Sequence, residues 1–516
     1  MNYTKNAGFN SDKQCLPGTR VAVLDELMNW INSPDGGNTP QVLFFSAAAG
    51  FGKSAIAHTI AQYLANQGRL GSSYFFDRAD KANRTIEGLF STISWNLSDL
   101  DPGWKSTLCA VVTGSRAKCE TLGLERQFNN FILWPAADLV TSGPIVIVID
   151  ALDESGSSEE RQLLLDILIK RTEKLPKNFR ILITTRPEPD ITKALHLVCK
   201  CQYIKHKHVD DAEMKNQLSE LDLSLYIQSK LSNISELEAR WPDGEWCSLL
   251  VKRSECLFQW AAVACRDIMN PYGRLPVQCL EFYLETGSGL DELYEAVLNQ
   301  GLHVNDSRVM ERYRSVMGRI LTAKEPLSLS TLSKMHVNNP LWMNDIKAII
   351  GPLGCLLSGI NENDVAIKPS HSSFYDYLIH SSQSKRFFIN IDDAEKEFAI
   401  ITLHILRAEL QFNICQLPTS YEENDDPKEV KEKVSPQLIY ACCFFAAHLL
   451  CVSSSDQILE DLHHFFNCEF LYWLEVLSIT SKISIAPGIL SSLSNWKKVQ
   501  SFCEHILKSS NLFTDE

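Results

Sequence analysis

The sequence predicts an α/β fold, a parallel sheet with flanking helices, followed by a helical second half. Three observations carry that prediction. The apolar run Val42-Leu43-Phe44-Phe45 leads into the small-residue stretch Ser46-Ala47-Ala48-Ala49-Gly50-Phe51-Gly52-Lys53-Ser54 and then into the helix-like run Ala55 to Ala61. The β-branched run Ile145 to Ile149 ends in the carboxylate of Asp150, and Ile181-Leu182-Ile183 ends in Thr184-Thr185-Arg186. Beyond about residue 205 such strand runs stop.

Strand, small-residue loop, Gly-Lys-Ser and helix is the layout of a phosphate-binding P-loop. Backbone N–H groups can wrap a polyphosphate only where no side chain intervenes, which suits Gly50, Phe51 and Gly52. The helix opening around Lys53, Ser54 and Ala55 turns its unpaired N–H groups and positive dipole end toward the anion. Lys53 can neutralise the β- and γ-phosphates, and the Ser54 hydroxyl can ligate Mg²⁺. Ala47 stands where the pattern ordinarily begins with glycine. If that position needs a positive φ, alanine costs about 1 kcal/mol there. The plainer reading is a small-residue turn that packs a helix onto a sheet.

The run Ile145 to Asp150 suits a strand buried on both faces of a parallel sheet. Asp150 then sits at the carboxyl end, where ligands bind in open α/β sheets, as a carboxylate for Mg²⁺. Asp153 or Glu154 can orient or deprotonate an attacking water. Spacing does not choose between them, and acidic residues at this place also suit a helix N-terminus. Arg186 would emerge beside the same cleft and sense a γ-phosphate through charge-assisted hydrogen bonds. Its plainer role is a surface ion pair with Glu188 or Asp190. Two more buried strands are expected, at Ser72 to Phe76 and Cys201 to Ile204, with helices at Ile86 to Leu97 and Leu163 to Glu173. The extra strand between the P-loop and Asp150 puts Asp150 on a strand that does not neighbour the P-loop strand.

At 516 residues the chain is too long for one core. A net charge of −14 argues against a nonspecific grip on nucleic acid or an anionic membrane. The 16 cysteines contain no Cys-x-x-Cys pair, and Met1 to Arg20 is polar and mixed. Reduced, mostly buried thiols in a cytoplasmic protein are therefore expected. The longest apolar stretch, Tyr440 to Val452, carries His448 and is too short to span a bilayer. It reads as a core helix.

At this point the chain resembles a known family. Cys15-Leu16-Pro17-Gly18-Thr19-Arg20, Gly50 to Ala57, Leu70 to Phe76, Val148 to Glu154 and Thr184 to Pro189 look like the fungal NACHT NTPases, whose N-terminal half is similar to the nephrocystin-3-like NTPase domain. The resemblance covers roughly residues 15 to 380. It implies a STAND protein, a signal-transducing ATPase that alternates between an ADP-bound closed state and an ATP-bound assembled state. It also implies roles. Gly18, Thr19 and Arg20 would lie on the adenosine side, and Gly50, Gly52, Lys53 and Ser54 would hold phosphates and Mg²⁺. Asp150 would be the metal carboxylate, Asp153 or Glu154 the hydrolytic one, and Arg186 the sensor. Ala47 departs from the family's glycine.

In the helical half, Leu249 to Met269 includes the almost wholly apolar Leu257 to Arg266, which the resemblance puts in a helical lid. Arg308 to Ile379 reads as a winged helix: helices at Val309 to Leu321 and Ser328 to Met335, strands at Leu356-Leu357 and Val365 to Ile367, and a closing helix at Phe374 to Ile379. Winged helices often bind DNA, but this stretch is not rich in Lys or Arg. In STAND proteins a winged-helix histidine reaches the β-phosphate in the resting state, and His371 has the matching place. Glu422 to Pro427 reads as a solvated loop, and Pro436 to Leu507 as helical. The resulting division is 1–35, an N-terminal segment; 36–205, the NTPase domain; 206–300, the lid; 301–385, the winged helix; and 386–516, a helical region. The functions compatible with it are a slowly hydrolysing ATP/ADP switch that self-associates with triphosphate bound, a nonhydrolysing scaffold or protein-interaction module stabilised by nucleotide, and a DNA-binding ATPase. GTP in place of ATP stays open.

Overall fold

The computed structural model of the protein describes residues 3–34, 39–114, 123–197, 201–209, 217–240, 245–335, 342–416, 433–453, 455–494 and 496. The acidic stretch Glu422 to Pro427 and the segment after Trp496 lie outside the described residues. The chain divides into two units, residues 1–293 and 294–516.

The first unit is built on five strands: β1 (Val42–Ser46), β2 (Leu70–Phe75), β3 (Ile145–Asp150), β4 (Phe179–Thr185) and β5 (Ile204–His208). They lie in the order β2-β3-β4-β1-β5, and every pairing is parallel. Successive strand side chains point to opposite faces, so each apolar run feeds two cores. Val42, Phe44, Ile145, Ile147, Ile149, Ile181 and Ile183 pack on one face with α3 (Glu87–Leu100), α4 (Pro102–Gly114), α5 (Ser158–Arg171) and α6 (Pro189–Leu197). Leu43, Phe45, Val146, Val148 and Leu182 pack on the other with α1 (Val21–Ile31) and α2 (Lys53–Asn66). This is the expected parallel sheet with flanking helices. β3 does not neighbour β1, again as expected; in space β4, which comes later in the chain, separates them.

Two strand expectations need correction. The fifth strand begins at Ile204, where the strand expected at Cys201 to Ile204 would have ended, and it is not buried: Lys205, His206 and His208 are exposed. An edge strand has one neighbour and needs no apolar run, so a search for buried runs finds only its first residue. β2 begins two residues earlier than expected, at Leu70. Its side away from β3 is met by the N-terminal segment. The Phe75 N–H donates to the Ala7 carbonyl at 2.8 Å, and the Phe9 N–H donates to Ser73 Oγ at 3.0 Å. The Asn10 N–H donates to Nδ1 of His58 on α2 at 3.0 Å, and burial pushes that imidazole down to about 3.

After the sheet come α7 (Gln217–Leu231), α8 (Ser235–Arg240), α9 (Glu245–Ser254), α10 (Phe258–Met269) and α11 (Pro276–Glu285). The run Leu249 to Met269 is thus two helices. Glu255 and Cys256 take φ of 46° and 66°, and left-handed residues cannot continue a right-handed helix. The helix α12 (Leu290–Gly301) then runs across the division between units.

The second unit opens with α13 (Ser307–Thr322), β6 (Leu327–Ser328), α14 (Leu329–Lys334), α15 (Trp342–Ile350), β7 (Leu357–Ser358), β8 (Ala366–Pro369) and α16 (Ser372–Ile379). The three short strands form an antiparallel sheet in the order β6-β8-β7. Two of them lie where the sequence placed strands; β6 lies at the start of the helix expected from Ser328. The remainder is helical: α17 (Ile391–Glu409), α18 (Pro436–Leu449), α19 (Asp456–His464), α20 (Phe470–Ile479) and α21 (Ala486–Ser494). The stretch from Tyr440 is the core helix expected of it.

A buried polar ring ties α17 to α18. His448 Nδ1 lies 2.6 Å from Glu395 Oε2, the Tyr440 hydroxyl lies 2.8 Å from His448 Nε2, and the Lys324 N–H donates to that hydroxyl oxygen at 3.0 Å. The Lys324 ammonium returns to Glu395 at 2.6 Å. Burial holds the His448 imidazole below its usual range. At Glu395 burial opposes ionisation, but the hydrogen bonds of His448 and Lys324 outweigh it and keep the carboxyl low. None of the described cysteines is in a disulfide, and most are buried. Among the described residues no helix is long and apolar enough to cross a membrane.

Candidate functional site

Between the end of β1 and the start of α2 the chain makes the P-loop turn. Its left-handed positions fall on Gly50 and Gly52, with φ of 80° and 98°, and Gly52 is the N-cap of α2. Ala47 is not among the residues with positive φ, so the strain that alanine would carry there does not arise. It is fully buried among residues of β1, α1 and α2.

Lys53 folds back over its own loop. Its ammonium donates to the carbonyls of Ala47 at 2.8 Å and Ala48 at 3.0 Å. Part of the side chain stays open to solvent, but protein crowds the ammonium, and burial pushes it down to about 8. The charge of Asp153 opposes that fall, Arg186 adds to it, and Asp150 and Glu154 oppose it in turn. Four charged groups expected at one site are therefore within electrostatic reach of this lysine.

Asp150 ends β3 and is 3% exposed. Burial raises its carboxyl, and hydrogen bonds from Thr184 and Ser54 and the charge of Lys53 pull it back. Thr184, at the end of neighbouring β4, donates to Asp150 Oδ1 and accepts the Ala151 N–H at 3.1 Å. Ala151 takes a φ of 55°, which turns the chain sharply into the short helical turn Leu152–Glu154. Asp153 is 3% exposed. Its Oδ1 accepts the Arg186 N–H at 2.9 Å, and its Oδ2 faces Arg186 Nε at 3.2 Å. Arg186 is thus not a surface partner of Asp190, which pairs with Arg161 at 2.7 Å. Glu154 is half-exposed and accepts the Arg78 N–H at 3.0 Å.

Two arginines escaped the sequence reading. Arg161 donates to the Asp153 carbonyl at 3.0 Å and the Gly156 carbonyl at 3.3 Å, which fixes the turn that carries both carboxylates. Arg78 follows β2 and meets Glu154 across the sheet. Arg78 is brought here by the pairing of β2 with β3, and Arg161 by the helix that follows the turn.

The N-terminal motif also reaches the loop. Gly18 takes a φ of 88°, and Arg20, at 57°, is the N-cap of α1. The Thr19 side chain and N–H both donate to the Leu16 carbonyl, at 2.7 and 3.0 Å. The Arg20 guanidinium donates to the Phe51 carbonyl at 2.8 Å. His371 belongs to the second unit, where it caps α16 by accepting the Ser373 N–H at 3.1 Å.

The donor set fits a magnesium-bound polyphosphate. Two left-handed glycines and a helix start form an anion-binding nest. Beside them the Ser54 hydroxyl is near enough to Asp150 to favour its ionised form, so two hard oxygen donors, the kind Mg²⁺ takes, lie in one place. Two cavities lie elsewhere, one of about 530 Å³ around Tyr3, Asp80 and Glu87 and one of about 820 Å³ around Leu221, Val251 and Cys256.

The chain is similar in sequence to known proteins. Residues 18–186 match the family model of the nephrocystin 3 N-terminal region. Over 360 residues the chain is 23% identical to the vegetative incompatibility protein HET-E-1 of Podospora anserina, a match covering 64% of this chain and 25% of that protein. The chain therefore spans about a quarter of that relative's length. Among solved structures, the Aeropyrum pernix ORC2 protein, in ADPNP-ADP complexes, is 13% identical with a TM-score of 0.33, over 76% of this chain and 96% of that one. Drosophila ORC bound to DNA is 11% identical with a TM-score of 0.27, over 95% and 70%. Residues 18–186 are thus similar to the nephrocystin 3 N-terminal region, where the sequence motifs placed that resemblance.

Proposed function

We propose that the protein is a nucleotide-operated switch that binds ATP or ADP with Mg²⁺ and hydrolyses ATP slowly. The observation that carries this reading is the convergence of Lys53, Ser54, Asp150 and the Asp153–Arg186 pair at the carboxyl ends of β1, β3 and β4. Lys53 exchanges the Ala47 and Ala48 carbonyls for phosphate oxygens. Ser54 and Asp150 hold the cation, with Thr184 orienting the carboxylate; the cation, when bound, neutralises phosphate charge. Glu154 orients and deprotonates the water, because the oxygens of Asp153 are engaged by Arg186. Arg186 senses the γ-phosphate. Gly18 and Thr19 line the nucleoside side.

In the same reading, residues 206–300 are the lid, 301–385 a winged helix and 386–516 a helical region, and His371 meets the β-phosphate of ADP. Copies assemble with triphosphate bound, in the cytoplasm, and neither nucleic acid nor membrane takes part. A switch from 1:99 to 99:1 needs about 5.5 kcal/mol of differential affinity, for which the γ-phosphate, the cation, Arg186 and His371 are the sources.

Calorimetry tests the assignment: Lys53→Ala should nearly abolish binding of ATP and ADP, and an unchanged affinity refutes it. One observation favours a second reading, a nonhydrolysing scaffold: Asp153 is already paired with Arg186. Phosphate release separates the two. A slow rate that vanishes in Asp150→Ala and Glu154→Gln supports the switch, and tight binding with no release supports the scaffold. Growth in particle size with a nonhydrolysable ATP analogue, but not with ADP, supports regulated assembly.

A further inference from the structure

We infer that Arg20 is a positioning residue that pre-forms the phosphate loop, and not a contact to the adenosine; this rests on the nucleotide reading above. A loop that aims its N–H groups at an anion must turn peptide carbonyls outward. Those carbonyls need donors from elsewhere, or the loop relaxes. Two of them are met by groups outside the loop. The Phe51 carbonyl accepts from the Arg20 guanidinium at 2.8 Å, and the Gly50 carbonyl accepts the N–H of Gln259, the second residue of α10, at 3.4 Å.

The guanidinium is held in place to do this. It lies 4.0 Å from the ring centre of Phe51 and 4.5 Å from that of Phe258, the first residue of α10. One side chain therefore grips both the ring and the carbonyl of the same loop residue, by charge–ring attraction and a charge-assisted hydrogen bond. The Arg20 backbone is anchored as well: its N–H donates to Asp222 Oδ2 on α7 at 2.9 Å. With 6% of its surface exposed, Arg20 cannot reach toward a base without abandoning these partners. Gly50 shows how closely α10 approaches. A Cβ on Gly50 would stand 3.2 Å from Cβ of Gln259, at a φ of +80° that already disfavours a side chain.

The loop's readiness for phosphate thus depends on α7 and α10 through one arginine. Binding to a pre-formed loop avoids the cost of ordering it. Arg20→Met keeps the length and removes the donor and the charge.

The test uses inorganic pyrophosphate with Mg²⁺, which has no nucleoside, beside ADP with Mg²⁺. Both are titrated by calorimetry into the full chain at a temperature where circular dichroism shows each variant folded. Arg20→Met should weaken both by the same factor, about tenfold, as for a lost charge-assisted bond. Phe258→Leu should weaken both equally but less, and Arg20→Lys should recover part of the loss. A variant that merely loosens the fold would move the melting temperature and leave both affinities intact. If Arg20→Met weakens ADP and spares pyrophosphate, or weakens neither, the inference is overturned. Should that variant fail to fold, Phe258→Leu decides by the same criterion. Wild-type protein that binds neither probe refutes the nucleotide reading itself.

Discussion

Each unit contains a lysine set beside a buried carboxylate, and the two are finished differently. In the second unit Lys324, Glu395, His448 and Tyr440 close a ring in which each polar group meets another of the same ring. In the first unit Lys53 donates to carbonyls of its own loop, while Asp150 accepts from the Thr184 hydroxyl. A ring satisfied by protein offers a ligand nothing. A lysine parked on loop carbonyls can exchange them for phosphate oxygens. The difference teaches that burial of charge alone does not mark a binding site; the replaceability of the partners does.

Crossing the two clusters gives the largest effects. Glu395→Ala strands Lys324 beside a neutral core and should cost about 3 kcal/mol or more of stability, with ADP affinity unchanged. Lys53→Ala should do the reverse: at least about a hundredfold loss of ADP affinity, with chemical denaturation of the apoprotein unchanged or shifted to higher denaturant. If Glu395→Ala weakens binding as much as Lys53→Ala does, the comparison fails. Next in size, Asp150→Asn should remove the Mg²⁺-dependent part of ADP affinity, about tenfold, which titrations with and without the cation read directly.

The pH dependence sharpens the contrast. With Lys53 at about 8 in the folded apoprotein and an ordinary value of 10.5, the unfolded chain holds more protons between those limits. Apoprotein stability should therefore rise with pH across that window. Phosphate binding restores the charge, so ADP binding at pH 9 should take up close to one proton and at pH 6.5 almost none from this residue. Calorimetry in buffers of different ionisation heat measures that uptake, and no uptake at pH 9 removes the exchange of partners assigned to Lys53. The smallest effect belongs to Ala47→Gly. Because Ala47 has no positive φ, glycine should leave nucleotide affinity unchanged and lower stability by about 0.5–1 kcal/mol through chain entropy.

Much of the nucleotide end could be read from residue order alone, because its parts are local. β1, β3 and β4 announce themselves as apolar runs that end in Ser46, Asp150 and Thr185, and a parallel sheet delivers all such ends to one side. β5 could not be read this way: only Ile204 of its five residues is apolar and buried. The break at Glu255-Cys256 has no glycine or proline to mark it. The partners of Arg20 were out of reach for a different reason. Asp222 and Phe258 lie more than two hundred residues downstream, and no spacing rule joins residues so far apart. That Arg186 engages Asp153, which underlies the proposal of Glu154, was likewise beyond spacing alone.

The two outer strands of the first sheet have a consequence for how copies of this protein can meet. Unpaired strand rims are templates for edge-to-edge stacking and fibre growth. At β2 the rim is capped by backbone from Ala7 and Phe9; at β5 it carries Lys205, His206, Lys207 and His208 in succession. One outer strand is thus met by chain, and the other carries polar side chains, its two lysines paired with Glu26, so neither presents a bare apolar strand to a second copy.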